Sequence, residues 1–207
     1  MSREKSKIVI LNGASSAGKT SMSKALQSIL AEEYLLMGID LFWMQLPPKQ
    51  LDLMTVEPAY YTWSKEIIDD RPYLRIEPAD GLNRMMRARY KAIAAYLQEG
   101  FNIIADDVTW TKQWLDDALE ILAPYEVHFV GVYCEDRVLS HREILRGDRL
   151  DGWARGSQKW AHEHLIYDIV LDTTLMTIQE SAQKVANYLN ANEKPLAADK
   201  MRARDLK

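Results

Sequence analysis

Apolar positions along the chain fall into two alternating patterns. Ile8 to Leu11 is an unbroken apolar run, Lys19 to Ala31 has a 3.6-residue period, and Tyr34 to Ile39 is apolar again, which reads as strand, helix, strand. After a long stretch without a clean period, Pro78 to Gln98 places Leu82, Met85, Met86, Ile93 and Leu97 at helical spacing, and Gly100 stops it before the strand-like Phe101 to Ala105. Trp110 to Leu122 is helical up to the break at Pro124. Val127 to Cys134, β-branched and aromatic, suits a strand covered on both faces. A helix from Asp136 to about Arg146, the run Ile169 to Asp172 and a helix from Thr177 to Asn190 complete the series. Such alternation predicts an α/β fold, a five-stranded parallel sheet between two helical layers. Residues 1–190 are expected to form one domain, with an irregular or helical insertion at 41–78 and a lid at 142–157. The polar tail 191–207 is expected to lie at the periphery.

Composition narrows the class. With 207 residues, 47% of them hydrophobic, the chain is long enough for one sizeable core. A net charge of -4 supplies no overall positive field, so nucleic acid is not an expected partner. Cys134 is the sole cysteine, and no apolar run reaches about 18 residues, so neither a disulfide nor a membrane span is expected. A cytoplasmic protein fits these features, and self-association is left open.

Gly13, Gly18, Lys19 and Thr20 complete the pattern G-x-x-x-x-G-K-[ST], with Ala14, Ser15, Ser16 and Ala17 between the glycines and Ser21 after them, at a strand-to-helix junction. Small residues there let backbone amides curve around phosphate oxygens, aided by the helix dipole. Lys19 is expected to reach the β- and γ-phosphates, and Thr20 to present a hydroxyl to Mg²⁺. The strand ending in Asp106 and Asp107 offers a carboxylate for the metal. Asp106 is favoured, and Asp107 remains a candidate for the substrate side or for capping the next helix.

Between Gln113 and Gln158 every Lys-or-Arg position is arginine: Arg137, Arg142, Arg146, Arg149 and Arg155. Arg142, Arg146 and Arg149 are spaced to share a helix face and to grip phosphate oxygens, with Gly147, Gly152 and Gly156 as flexible points of a lid. The alternative is a solvated face paired with Glu143, Asp148 and Asp151. Asp40 follows an apolar run at the ligand-gathering edge of the sheet, where it could orient an acceptor hydroxyl; the alternative is a helix N-cap. Phe42, Trp43, Tyr60, Tyr61, Trp63 and Tyr73 crowd the region after it and read equally as an acceptor wall, with Trp43 foremost, or as a small core. His162 and His164 are two apart and read as packing groups, not as a zinc pair.

The segments "ILNGASSAGKTS", "GID", "IIADDV", "GVYCEDRV", "RGDRLDGWA" and "HEHLIYDIVLDTT", in that order, resemble the chloramphenicol phosphotransferase-like proteins. The resemblance implies a nucleoside-monophosphate-kinase-like fold and transfer of the γ-phosphoryl of ATP to a hydroxyl. It also implies Asp40 as the base, Lys19 and Thr20 at phosphate and metal, and the arginines of "REILRGDR" in a lid. Residues 41–81 depart from the family pattern, and they are the ones expected to choose the acceptor. The leading expectation is therefore an ATP- and Mg²⁺-dependent enzyme for a small hydroxylated acceptor, with Asp40, Lys19, Arg146 and Arg149 catalytic. A kinase for a nucleotide, sugar or other metabolite on the same fold is the rival; a phosphate-bearing acceptor would need a basic pocket, for which Arg71, Arg75, Arg84 and Arg87 are candidates. A nucleotide-binding regulatory ATPase that acts through a protein partner is the third reading, disfavoured because the N-K-x-D segment of guanine-specific switches is absent.

Overall fold

The computed structural model describes residues 5–51 and 60–204. Its elements run β1 (Lys7–Gly13), α1 (Lys19–Ile29), β2 (Tyr34–Leu36), α2 (Ile39–Trp43), α3 (Pro48–Leu51), β3 (Tyr61–Ile68), β4 (Arg71–Pro78), α4 (Asp80–Gln98), β5 (Asn102–Asp107), α5 (Lys112–Ile121), β6 (Glu126–Tyr133), α6 (Asp136–Arg146), α7 (Trp153–Trp160), β7 (Ile169–Asp172), α8 (Ile178–Asn190) and α9 (Ala197–Arg204). The five apolar runs pair in parallel in the order β2-β5-β1-β6-β7. Strand periodicity sends Ile8 and Ile10 into a core shared with Tyr90, Ile93, Leu115 and Phe129, and Val9 and Leu11 into another with Met22, Leu26, Leu171 and Val185. Burial on both faces is why these strands read as continuous apolar runs. β1 lies between β5 and β6, so the chain order reverses across its carboxyl end and opens a crevice there.

Three expectations need correction. Residues 61–78 form an antiparallel hairpin, not an irregular insertion; the part of the insertion at 52–59 lies outside the described residues. The two-residue connection, Asp69 and Asp70, has φ of 48° and 57°, the left-handed geometry of a tight hairpin turn that Asp tolerates. Pro72 and Pro78 interrupt the strand pattern of β4 but are accommodated in a two-stranded ribbon.

The tail is also more than peripheral, because Ala197, Ala198 and Met201 of α9 are buried in the same core as Tyr90 and Leu115. Asp168 Oδ1 accepts from the Leu196 and Ala197 amides at 2.7 and 2.8 Å, fixing the start of α9. Finally, β2 ends at Leu36, so Asp40 lies in the first turn of α2, whose N-cap is Gly38. Among the described residues, no helix is long and apolar enough to cross a membrane.

Candidate active site

At the carboxyl end of β1 the phosphate-loop pattern becomes a definite geometry. A Cβ on Gly13 would stand 2.1 Å from the Val132 carbonyl oxygen, so only glycine lets β1 run on beside β6 into the loop. Gly18, at φ 90°, begins α1 without a side-chain cap, which leaves the first amides of the helix open to an anion. Lys19 is buried and its ammonium donates to the Ala14 carbonyl at 2.6 Å. Burial pulls its pKa down to about 8, against the opposing charges of Asp106, Asp40 and Asp107.

Asp106 and Asp107 separate by strand alternation. Asp106 Oδ2 accepts from the Thr20 hydroxyl at 2.5 Å, and both residues line the cavity. A Cβ on Gly38 would fall 1.5 Å from Asp106 Oδ1, so glycine at 38 makes room for this carboxylate. Hydroxyl and carboxylate together are hard oxygen donors of the kind Mg²⁺ accepts while keeping most of its waters. The substrate-side assignment of Asp107 is overturned. It is fully buried, it accepts from Arg89, from the Tyr90 hydroxyl at 3.0 Å and from the Val108 amide at 2.7 Å, and it does not line the cavity. This buried ion pair, in which the Asp107 carboxylate is fully engaged, holds α4 to β5.

One cavity of about 560 Å³ extends from Ser15–Met22 past Asp40 to an apolar end formed by Ile39, Trp43, Ile76, Val108, Trp110 and Trp153. Asp40 projects an exposed carboxylate whose Oδ2 is 3.9 Å from Arg149 Nη2, and the Arg149 guanidinium lies 5.5 Å from the Trp153 ring centre. The aromatic cluster turns out to be wall and core at once. Trp43 lines the cavity, while Tyr61, fully buried, and Trp63 stand behind it, with ring centres 5.3 Å (Trp43–Tyr61), 5.9 Å (Tyr61–Trp63) and 4.4 Å (Trp63–Trp153) apart. Phe42 packs elsewhere, and Tyr73 donates to Asp136 at 3.0 Å. Trp110 and Trp153 were not anticipated as wall residues; their only sequence signal was proximity to "IIADD" and "RGDR".

The arginines divide as well. Arg142, Arg146 and Arg149 line the cavity. Arg142 is pinned, donating to the Thr173 carbonyl at 3.0 Å, and Arg146 pairs with Asp148 at 3.2 Å. Arg155 is structural, bound to Asp151, the Pro72 carbonyl and Ser140. The second half of the expected lid is packed, since residues 153–157 are buried. Nor are all its glycines hinges. A Cβ on Gly156 would lie 1.7 Å from the Leu74 carbonyl oxygen and one on Gly152 2.4 Å from that of Pro72, so these glycines let α7 press against β4. Of the arginines considered for a phosphate-bearing acceptor, Arg87 bonds Asp117 and Glu120, Arg84 lies 3.7 Å from Asp80, and neither they nor Arg71 and Arg75 line the cavity.

The cavity also takes in Thr173, Met176, Ile178 and Ser181, none of them anticipated: Thr173 lies in the segment "HEHLIYDIVLDTT" without a role of its own there, and the other three follow that segment outside any motif. His162 behaves as a packing group, stacked 3.9 Å from Tyr133 with Nδ1 2.6 Å from the Tyr167 hydroxyl, and burial lowers its pKa to about 4.

A family profile described as "Chloramphenicol phosphotransferase-like protein" matches residues 6–190. A Mycobacterium tuberculosis H37Rv protein named "Putative O-phosphotransferase" is 45% identical over 201 residues, covering 97% of this chain and 89% of the relative. Among solved structures, APS kinase of Mycobacterium tuberculosis in complex with AMPPNP and APS superposes with a TM-score of 0.63 at 13% identity, over 90% of this chain and 98% of its own. Shikimate kinase from Acinetobacter baumannii in complex with shikimate does so with a TM-score of 0.56 at 14% identity, over 92% and 96%. At these identities the two structures establish the shared P-loop kinase fold.

Proposed function

The chain belongs to the chloramphenicol phosphotransferase-like family and is a small-molecule kinase; from that premise we propose that it moves the γ-phosphoryl group of ATP to a hydroxyl of a small, uncharged, ring-bearing alcohol. The observation that carries this reading is the single cavity joining the phosphate loop to Asp40 and an apolar, tryptophan-rich end. The triphosphate lies along the loop amides from Ser16 to Thr20, with Lys19 and Arg146 offsetting its charge. Thr20 and Asp106 would hold Mg²⁺, which would supply positive charge to offset that of the phosphates. Asp40 accepts a hydrogen bond from the acceptor hydroxyl and takes its proton as the oxygen bonds the γ-phosphorus; the bond from that phosphorus to the β–γ bridging oxygen breaks and ADP leaves. Arg149, beside Asp40, faces the transferring group.

An acceptor end built from Trp43, Trp110, Trp153, Ile39, Ile76 and Val108 favours an uncharged ring system, and antibiotics of the chloramphenicol type fit that description. A phosphorylated acceptor fits poorly, because Arg71, Arg75, Arg84 and Arg87 stand outside the cavity. The test is ADP release from Mg-ATP with a panel of neutral aryl alcohols and hydroxylated antibiotics, set beside sugars and nucleoside monophosphates. Release that rises with the aryl alcohols is expected. Hydrolysis indifferent to every acceptor, or turnover confined to phosphorylated ones, would sink the proposal.

A further inference from the structure

The helix that builds part of the acceptor wall also reaches the phosphate loop. Ser157, fully buried on α7, accepts a hydrogen bond from the Ser15 amide at 2.9 Å. Its own proton is directed to the carbonyl of Trp153 or Ala154, both at 2.9 Å. The loop needs such a tie, because the next residue, Ser16, is held at φ 63°, a left-handed conformation unfavourable for a residue with a Cβ, and the Ser16 hydroxyl finds no partner among the described residues. The Lys19 contact with the Ala14 carbonyl cannot serve throughout, since that ammonium is the group that turns to phosphate. Thr173 restrains the loop at the Ala17 carbonyl, 3.0 Å away, and Ser157 restrains it at Ser15.

α7 is a firm anchor. Glu143, buried on α6, accepts from the Gly152 and Ala154 amides at 3.1 and 2.6 Å, closing the helix N-terminus. Gly152 and Gly156 seat the helix on the β4 backbone, and the Leu74 amide donates to the Gly152 carbonyl at 2.9 Å. Trp153, one helical turn before Ser157, lines the acceptor end.

We propose that Ser157 is a positioning residue that sets the curvature of the phosphate loop from the helix carrying Trp153, so that donor phosphate and acceptor wall share one frame. The inference rests on the reading of the cavity as a nucleotide-plus-acceptor site, and its test needs no acceptor. Binding of Mg-AMPPNP is measured by calorimetry and binding of adenosine, which lacks phosphates, by saturation-transfer NMR, for the unsubstituted protein and Ser157→Ala. Loss of one buried hydrogen bond is expected to weaken AMPPNP about tenfold while adenosine stays within twofold. AMPPNP unchanged within twofold, or both ligands weakened equally, overturns the inference. Should Ser157→Ala fail to fold, Ser157→Cys is measured in the same way: its thiol is a weaker partner of similar size, and a smaller loss confined to AMPPNP supports the role, while no loss or an equal loss of both ligands overturns it. An unsubstituted protein that binds no AMPPNP defeats the proposed function itself, a separate result.

Discussion

The two ends of the cavity are built on opposite principles. The proposed phosphate end comes from one contiguous stretch, Gly13 to Thr20, and offers mostly main-chain amides. The proposed acceptor end is assembled from α2, β4, the segment after β5, the α6–α7 connection and α7, and offers side chains. A backbone cradle tolerates little besides glycine and small residues, so it imposes a recognisable pattern. An apolar wall can be made from any large side chains that the fold brings together, so it imposes almost none.

The largest effect that would sharpen this contrast is expected from Lys19→Ala. Removing the buried ammonium should cut turnover about 10³-fold and weaken nucleotide binding in the same experiment, read by coupled ADP release and calorimetry. Near-normal kinetics would remove the loop from the chemistry. Asp40→Asn should cost about 10²-fold in turnover while nucleotide affinity stays within about twofold, if Asp40 serves the acceptor side as proposed. A large loss of nucleotide affinity in that variant would merge the two ends and break the comparison.

Trp43→Ala is expected to raise the acceptor KM about tenfold with little change in nucleotide affinity, since it strips apolar surface from the wall alone. An unchanged KM would place the acceptor elsewhere. The smallest effect is pH dependence. Lys19 titrates near pH 8 in the free protein, so below that it is charged and ready for phosphate; above it, binding must first take up a proton. Nucleotide affinity should therefore fall about fourfold from pH 7 to 8.5, with proton uptake visible in buffers of different ionisation enthalpy. A flat profile would show that the buried amine keeps its charge through this range.

Most of the central sheet was legible before any coordinates, because strands buried on both faces must be apolar throughout and each is bounded by helical spacing. The hairpin was not. Only one face of β3 and β4 is covered, two prolines break the alternation, and the turn uses Asp69 and Asp70 where glycine would have announced it. α9 was hidden for a related reason, since Ala197, Ala198 and Met201 are few and small among charged neighbours. Gly152 and Gly156 suggested hinges, but the same lack of a side chain serves close backbone packing, and only the neighbouring strand tells the two uses apart. Glu143, a surface partner of arginine in the alternative reading of that helix, caps α7 from a buried position.

By itself the sequence determined the five apolar strands of the central sheet with their main intervening helices, the G-x-x-x-x-G-K-[ST] loop at the end of the first strand, and Asp40 as a candidate carboxylate near that loop. These follow from local rules: periodicity, and the few residue types that a backbone anion cradle permits. Tertiary structure alone decided that Asp106 meets Thr20 while Asp107 is sealed against Arg89, that Trp110 and Trp153 join Trp43, and that Ser157 reaches Ser15 across 142 positions of chain. Those pairings depend on which faces of separate elements meet, and contacts between residues so distant along the chain leave no local period to read.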